Sequence, residues 1–185
     1  GEILAMTSYP EYDQNALTHG MDQKSFNLLL NGPGKPFLNR VIGGLYTPGS
    51  IIKPIVAIAA LNESIISPEK SILSTGSITV PNPYDPEKPS VFKDWRAHGW
   101  TNMKEALAVS SDTYFYSIGG GFGGQKGLGI SLLDHYLSLF GLPEMTGIEL
   151  SGEAQGIIAT PEWKAEKFQG DVWRLGDTYI TAIGQ

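Results

Sequence analysis

The stretch from Ser50 to Asn62 constrains the fold of this chain more than any other part of the sequence. Its central run is apolar at every position, Ile55-Val56-Ala57-Ile58-Ala59-Ala60-Leu61. A surface helix would carry polar residues on one face, so this run predicts a helix enclosed by a hydrophobic core. Lys53 lies at the start of the same helix. Because a buried ammonium is costly, Lys53 must either find partners or give up its proton.

Ser50 precedes Lys53 by three positions and therefore lies on the same face of the predicted helix. A hydroxyl at a helix N-terminus, next to an amine that can lose its proton, is the arrangement of an activated serine nucleophile. A purely structural interpretation is also open at this point. Ser50 can cap the helix after the Pro48-Gly49 turn, and Lys53 can extend its ammonium to the surface.

The remaining sequence predicts a mostly helical chain with long irregular segments. Apolar residues at helical spacing and turn residues indicate the boundaries. The expected elements are a strand over residues 1–9, turns over 10–49, loops over 63–101, and helices over 103–108, from 114 onward and over 131–140.

A second polar cluster, Ser110-Ser111-Asp112, lies about sixty residues after Ser50, between two apolar stretches. Together with Pro48-Gly49-Ser50 and Lys53-Pro54, it resembles the paired signatures of the penicillin-recognising serine transpeptidases. In that family the second signature, Ser-x-Asn or Ser-x-Asp, lies on a loop that faces the nucleophile. The resemblance makes the catalytic interpretation of Ser50 and Lys53 much stronger than the structural one.

Further similarities extend along the whole chain. The likeness is greatest to the elongation-type class B penicillin-binding proteins, in which an Asp takes the place that Asp112 has here. The matching segments are Gly1 to Met6, Leu38-Asn39-Arg40, Gly44 to Ser50, Phe92 to Trp95, Thr146 to Leu150 with Gly152-Glu153, Thr160 to Lys164, Trp173, Gly176 to Thr178, and Ile183 to Gln185.

The resemblance implies an α+β protein with the penicillin-binding-protein transpeptidase fold, which is also the serine β-lactamase-like fold. The family's third signature, Lys-Thr-Gly or Lys-Ser-Gly, is absent, since Lys70-Ser71 is followed by Ile72. We therefore expect residues 1–185 to form a transpeptidase domain that is incomplete at both ends. Such a piece would be mostly helical, would contain little of the central antiparallel sheet, and would be inactive by itself.

The resemblance also implies a catalytic set of Ser50, Lys53, Ser110 and Asp112. Ser50 would attack the D-alanyl-D-alanine bond of a peptidoglycan stem peptide, with Lys53 as general base. Ser110 would pass a proton to the departing D-alanine, and Asp112 would hold Lys53 and Ser110 in place. β-Lactam antibiotics would acylate the same serine. The backbone N–H of Ser50 would supply one donor of the oxyanion hole.

The family context implies partners and a location. We expect stem peptides and β-lactams as ligands, a membrane glycan polymerase and elongation-complex proteins as partners, and an extracytoplasmic, membrane-anchored full-length protein. A net charge of −6 and dispersed basic residues argue against nucleic-acid binding. We expect no cofactor. The weak metal candidates are Asp94 and His98, because some elongation-type relatives carry a zinc site of Asp, His and Cys in this region, whereas this chain has no cysteine.

Two other functions remain open from the sequence. One is a β-lactamase or a β-lactam sensor built on the same fold, which would need an efficient deacylating water or a signalling partner. Steady turnover of a chromogenic cephalosporin would indicate the hydrolase, and a single stoichiometric burst would indicate the transpeptidase. The other is a non-catalytic scaffold that binds cell-elongation partners, which would fail to react with any penicillin at Ser50.

Overall fold

The computed structural model describes residues 2–82 and 84–185. Its backbone divides into two compact units. The smaller unit contains the chain up to Tyr46 together with Met145–Gly156, and the larger unit contains Thr47–Glu144 and Ile157–Gln185. Gly1, at the start of the predicted first strand, and Pro83, in the proline-rich loop, lie outside the described residues. All residues of the predicted catalytic set belong to the larger unit.

The smaller unit contains three short helices, α1 (Gln14–His19), α2 (Gln23–Asn31) and α3 (Arg40–Gly43). The prediction of turns throughout residues 10–49 was therefore wrong, and residues 2–8 form no strand. Side-chain caps explain the helices. The carboxylates of Asp13 and Asp22 and the amide oxygen of Asn39 each accept a hydrogen bond from a backbone N–H in the first turn.

The larger unit contains six helices and four short strands among the described residues. A 3₁₀ turn, Gly49–Ile52, leads directly into the first of its helices. The elements are α4 (Lys53–Asn62), β1 (Ile72–Ser74), β2 (Ser77–Val80), β3 (Ser90–Lys93), β4 (Gly99–Thr101), α5 (Met103–Ala108), α6 (Asp112–Gly120), α7 (Ile130–Leu139), α8 (Pro161–Lys167) and α9 (Leu175–Ala182).

The strands form two antiparallel pairs, β1 with β4 and β2 with β3. Ile72 pairs with Thr101 in the first ladder, and Ile78 pairs with Phe92 in the second. The predicted loop region of residues 63–101 therefore contains strands, although each has only three or four residues. Segments this short carry too little alternation to be recognised from sequence. The mostly helical α+β composition with little sheet agrees with the predicted fold class.

Helix α6 forms the centre of the larger unit. Its residues from Thr113 to Gly119 are all buried, and it packs against α9, α4 and α7. Two glycines allow the close approach to α9. A Cβ atom on Gly119 would overlap with the side chain of Ala182, and one on Gly120 would overlap with the ring of Tyr179. The α6–α9 contact therefore depends on glycine at both positions.

Helix α4 is buried on the side that faces α6 and α7 but not on every side. Val56, Ala59 and Ala60 are at most 1% exposed, whereas Ile58 is 47% exposed. The prediction that a core encloses this helix completely was thus wrong for one flank. No described residue covers Ile58 fully, so apolar periodicity alone overestimated the burial.

We predict that Gly119→Ala lowers the free energy of unfolding by about 1–3 kcal/mol or more, the usual cost of overpacking. The added methyl group has no space against Ala182. Urea denaturation followed by circular dichroism would measure the change. The double variant Gly119→Ala/Ala182→Gly restores the space and should recover part of the loss. A single variant as stable as the wild type would contradict this account of the contact.

Candidate active site

Ser50 lies in the 3₁₀ turn before α4, and its side chain is accessible to solvent. Gly49 adopts a left-handed conformation with φ of +64°, which a residue with a side chain rarely adopts. The N–H of Gly49 donates to the carbonyl oxygen of Gly184 at 2.7 Å. The residues that follow α9 therefore fix the turn that presents Ser50.

The ammonium group of Lys53 is buried and donates three hydrogen bonds. Its side chain is 2% exposed, and Nζ donates to the Asp112 carboxylate at 2.6 Å and to the Ser110 carbonyl oxygen at 2.9 Å. A third hydrogen bond reaches Ser110 Oγ at 3.1 Å. Nζ also lies 5.4 Å from the ring centroid of Phe115. Lys53 thus does not extend to the surface, and its burial is offset by an ion pair, two neutral acceptors and an aromatic face.

Ser110 joins the predicted nucleophile to the predicted base. Its Oγ accepts a hydrogen bond from Lys53 and donates one to Ser50 Oγ at 2.9 Å. The backbone of Ser110 has φ of +55°, an unfavourable left-handed conformation for a residue with a side chain. This conformation allows both its carbonyl oxygen and its hydroxyl to contact Lys53.

The structure brings together all four residues of the predicted set, although about sixty positions separate the two pairs along the chain. Ser50, Ser110, Lys53 and Asp112 form one continuous series of hydrogen bonds. Donation runs from Lys53 Nζ to Ser110 Oγ and from Ser110 Oγ to Ser50 Oγ, so Ser110 connects the two groups between which a proton would have to move. The N-terminal end of α4 adds a favourable field for negative charge at Ser50. The catalytic role of each residue and the oxyanion-hole role of the Ser50 N–H stay predictions.

Tyr116 is a titratable group close to this site, but it is no candidate base. Burial, followed by the nearby carboxylates of Asp112 and Asp94, raises the pKa of Tyr116 to about 12. Its hydroxyl donates to the carbonyl oxygen of Lys93 at 3.1 Å. Tyr116 therefore stays neutral near pH 7 and acts as a hydrogen-bond donor that ties α6 to β3.

The weak metal candidates, Asp94 and His98, form a buried hydrogen-bonded pair. His98 Nε2 lies 3.3 Å from Asp94 Oδ1, and His98 Nδ1 has no hydrogen-bond partner. The other Asp94 oxygen already accepts hydrogen bonds from Ser111 and Thr113. Among the described residues, no group of three or more His, Asp or Glu side chains could hold a metal ion. Asp94 and His98 alone supply fewer protein ligands than the three or four of a zinc site, and the expectation that no cofactor is bound stays a prediction.

Sequence reasoning missed three contributors to this site. Phe115 lies below the Lys53 ammonium, Gly184 holds the turn of Ser50, and Asp94 contacts the loop that contains Ser110. The sequence indicates Asp94 as a weak metal candidate and as part of the matching segment Phe92 to Trp95, but not as a contact of this loop. None of these roles has a local sequence signal, because each depends on contacts between residues that are far apart in the chain.

Comparison with known proteins adds a second line of evidence. The family model described as "Penicillin binding protein transpeptidase domain" matches residues 1–184. Peptidoglycan D,D-transpeptidase MrdA of Haemophilus influenzae is 36% identical over 185 residues, which are 99% of this chain and 27% of that protein. MrdA of Escherichia coli K12 is 35% identical over 187 residues, or 100% of this chain and 28% of that protein.

Solved structures give the same result. PBP2 of Helicobacter pylori, in its complex with MreC, is 35% identical with a TM-score of 0.84, and the match covers 100% of this chain and 32% of that one. PBP2 of Pseudomonas aeruginosa, in complex with WCK 5153, is 34% identical with a TM-score of 0.80, covering 100% of this chain and 40% of that one. The chain thus spans less than a third of the length of the curated relatives.

We predict unequal effects on stability when the two partners of the buried ion pair are removed separately. Asp112→Ala leaves the buried ammonium without its counter-charge and should lower the free energy of unfolding by about 3 kcal/mol. Lys53→Met removes the buried charge itself, so the loss should be smaller. Urea denaturation at pH 7 would measure both.

The matched control is Lys104→Met, which alters an exposed lysine on α5. It should change stability by less than about 0.5 kcal/mol, as surface substitutions usually do. A larger loss of stability in Lys53→Met than in Asp112→Ala would mean that the ion pair and hydrogen bonds of the ammonium outweigh its desolvation free energy. That result would contradict the expected order of the two variants.

Proposed function

The chain belongs to the penicillin-binding-protein transpeptidase family, and on that basis we propose that it contains the acylation centre of a peptidoglycan D,D-transpeptidase. The resemblance drawn from its motifs is confirmed at the level of the family. One observation carries the proposal: Ser110 Oγ is hydrogen-bonded to both Ser50 Oγ and Lys53 Nζ. A serine that is linked in this way to a buried amine is a nucleophile with a route for its proton.

In the proposed reaction, Ser50 Oγ attacks the carbonyl carbon between the two terminal D-alanines of a stem peptide. The hydroxyl proton passes to the Lys53 amine, either directly or through Ser110. The tetrahedral intermediate then collapses, the C–N bond breaks, and the departing D-alanine takes a proton from Ser110, which regains one from Lys53. An ester on Ser50 remains. The amine of a second stem peptide attacks this ester, loses a proton to Lys53 and forms the crosslink, and the Ser50 oxygen leaves and is reprotonated from Lys53.

Lys53 must be unprotonated when the reaction begins, whereas the structure shows it with three acceptors around Nζ. Asp112 holds Nζ at 2.6 Å from its carboxylate and so fixes the position of Nζ relative to Ser110. The scheme requires no cofactor.

A β-lactam would enter by the same steps, because its strained amide presents a similar carbonyl carbon to Ser50. Ring opening gives an ester that an incoming amine displaces slowly. We propose that β-lactams inhibit the full-length protein because this ester is long-lived. A β-lactamase would instead hydrolyse the ester and turn over the antibiotic.

We propose that the full-length protein acts in wall synthesis during cell elongation, on the extracytoplasmic side where stem peptides are crosslinked. The Helicobacter pylori relative is described in a complex with MreC. Another neighbour, at 30% identity and a TM-score of 0.66, comes from a peptidoglycan synthase complex. These descriptions support an elongation-complex protein and a glycan polymerase as partners. No helix among the described residues is long and apolar enough to cross a membrane.

We predict that Ser50 is the residue acylated by penicillin, because it is accessible and hydrogen-bonded to Ser110. Mass spectrometry of the full-length protein after penicillin treatment should show one adduct, on the peptide that contains Ser50. Ser50→Ala should abolish the adduct, and Ser71→Ala, at an exposed serine distant in sequence, should leave it unchanged. An adduct that persists in Ser50→Ala would refute the assignment.

We predict that Lys53→Arg keeps the positive charge but loses acylation by at least about 10²-fold, the typical contribution of a general base. A guanidinium cannot lose its proton near neutral pH. The rate of labelling by a fluorescent penicillin would measure the effect, with circular dichroism to verify the fold. Near-normal labelling would mean that Lys53 has an electrostatic or structural role and that another group is the base.

A further inference from the structure

The carboxylate of Asp94 is entirely buried and saturated with hydrogen-bond donors. Its side chain is 0% exposed. Oδ2 accepts from Ser111 Oγ and from the backbone N–H of Thr113, both at 2.9 Å. Oδ1 accepts from the backbone N–H of Trp95 at 2.9 Å and lies 3.3 Å from His98 Nε2. Two of these donors belong to the loop and first turn that contain Ser110 and Asp112.

The surroundings of Asp94 favour the ionised form of its carboxyl group. Burial acts to raise the pKa of the carboxyl group, but hydrogen bonds from Thr113 and Ser111 outweigh it and hold the pKa below its ordinary value. The carboxylate also lies at the N-terminal end of α6, where the helix dipole favours negative charge. A buried carboxylate is stable only when hydrogen-bond donors surround it, and these charge-assisted bonds fix the donor groups in position. The position of Ser111 and Thr113 is therefore tied to the end of β3.

The two chain neighbours of Ser110, Val109 and Ser111, are both hydrogen-bonded to the segment that follows β3. On one side, Trp95 Nε1 donates to the carbonyl oxygen of Val109 at 3.1 Å. On the other side, Asp94 binds Ser111. Ser110 itself has the unfavourable φ of +55°. A left-handed conformation of this kind persists only where the surrounding structure fixes it, and here Asp94 and Trp95 fix it from both sides.

We propose that Asp94 is a positioning residue for the acylation proposed above. By holding Ser111 and the first turn of α6, it keeps Ser110 Oγ and the Asp112 carboxylate within hydrogen-bond distance of Lys53. It has no hydrogen bond to Ser50 or Lys53 among the described contacts, so it acts through the loop. The proposal deepens the proposed function and rests on it.

Ser74 provides a matched control, because its buried Oγ lies 3.4 Å from the same Asp94 oxygen but belongs to β1. Ser111→Ala removes the donor on the catalytic loop, and Ser74→Ala removes a donor outside it. Each variant removes one hydroxyl donor from the same carboxylate oxygen, and Ser111→Ala also removes the acceptor of the Tyr114 N–H at the start of α6. A purely structural role of the Asp94 cluster would make them equivalent in the reaction, whereas a positioning role would not.

The test is the concentration dependence of labelling of the full-length protein by a fluorescent penicillin. For Asp94→Asn we expect the maximal rate constant to fall about 10²-fold, the effect of a misplaced catalytic group, with the half-saturating concentration changed less than about 3-fold. Ser111→Ala should lose about 10-fold in the maximal rate constant, and Ser74→Ala less than about 2-fold. A normal maximal rate constant in Asp94→Asn, or equal losses in the two serine variants, would overturn the proposal.

Hydrogen exchange separates this proposal from the proposed function. In Asp94→Asn the backbone amides of residues 109–114 should exchange faster than in the wild type, while in Ser74→Ala they should not. A wild-type protein that never reacts with penicillin would refute the proposed function, and the exchange result would still show whether Asp94 holds the loop. Unchanged exchange in Asp94→Asn would refute the positioning role whatever the labelling shows. If Asp94→Asn does not fold, Ser111→Ala and Ser74→Ala give the same comparison.

Discussion

The burial of one ammonium group, that of Lys53, is the constraint on which the rest of this site depends. A charge inside the core must be surrounded by acceptors, and all three acceptors of Lys53 come from Ser110 and Asp112. Helix α4 and the loop before α6 are therefore held in one relative position. The strained backbone of Ser110 follows from this constraint, because a relaxed loop would turn its carbonyl oxygen or its hydroxyl away from the ammonium.

Helix α6 transmits this constraint to the rest of the larger unit. Its N-terminal end meets Lys53 through Asp112 and meets Asp94 through the N–H of Thr113. Its C-terminal end packs against α9 without side chains at Gly119 and Gly120. The residues after α9 then contact the turn of Ser50. Ser50 is thus held from two directions, by Ser110 on one side and by the contact of Gly184 with Gly49 on the other.

The sequence predicted those parts of the molecule that have a strong local pattern. The helix after Ser50 has a continuous apolar run, the helix near 131–140 has apolar residues at helical spacing, the helix over residues 103–108 was also predicted, and the two signatures indicated all four residues that meet. Helices α1 and α2 were missed because they are short helices that begin at the side-chain caps Asp13 and Asp22 inside a segment rich in turn residues. The role of Asp94 could not be predicted, because an aspartate is normally exposed and its burial depends on donors from residues 111 and 113.

The contact between Gly184 and Gly49 has a consequence for how sequences of this kind can vary. A Cβ atom at position 184 would overlap with the backbone of Gly49, so no flexible side chain could move aside to admit it. Every replacement of Gly184 would act on the main chain next to the nucleophile. Position 184 should therefore be restricted to glycine although glycine has no reactive group, because the restriction comes from the main chain beside Ser50 and not from any side chain.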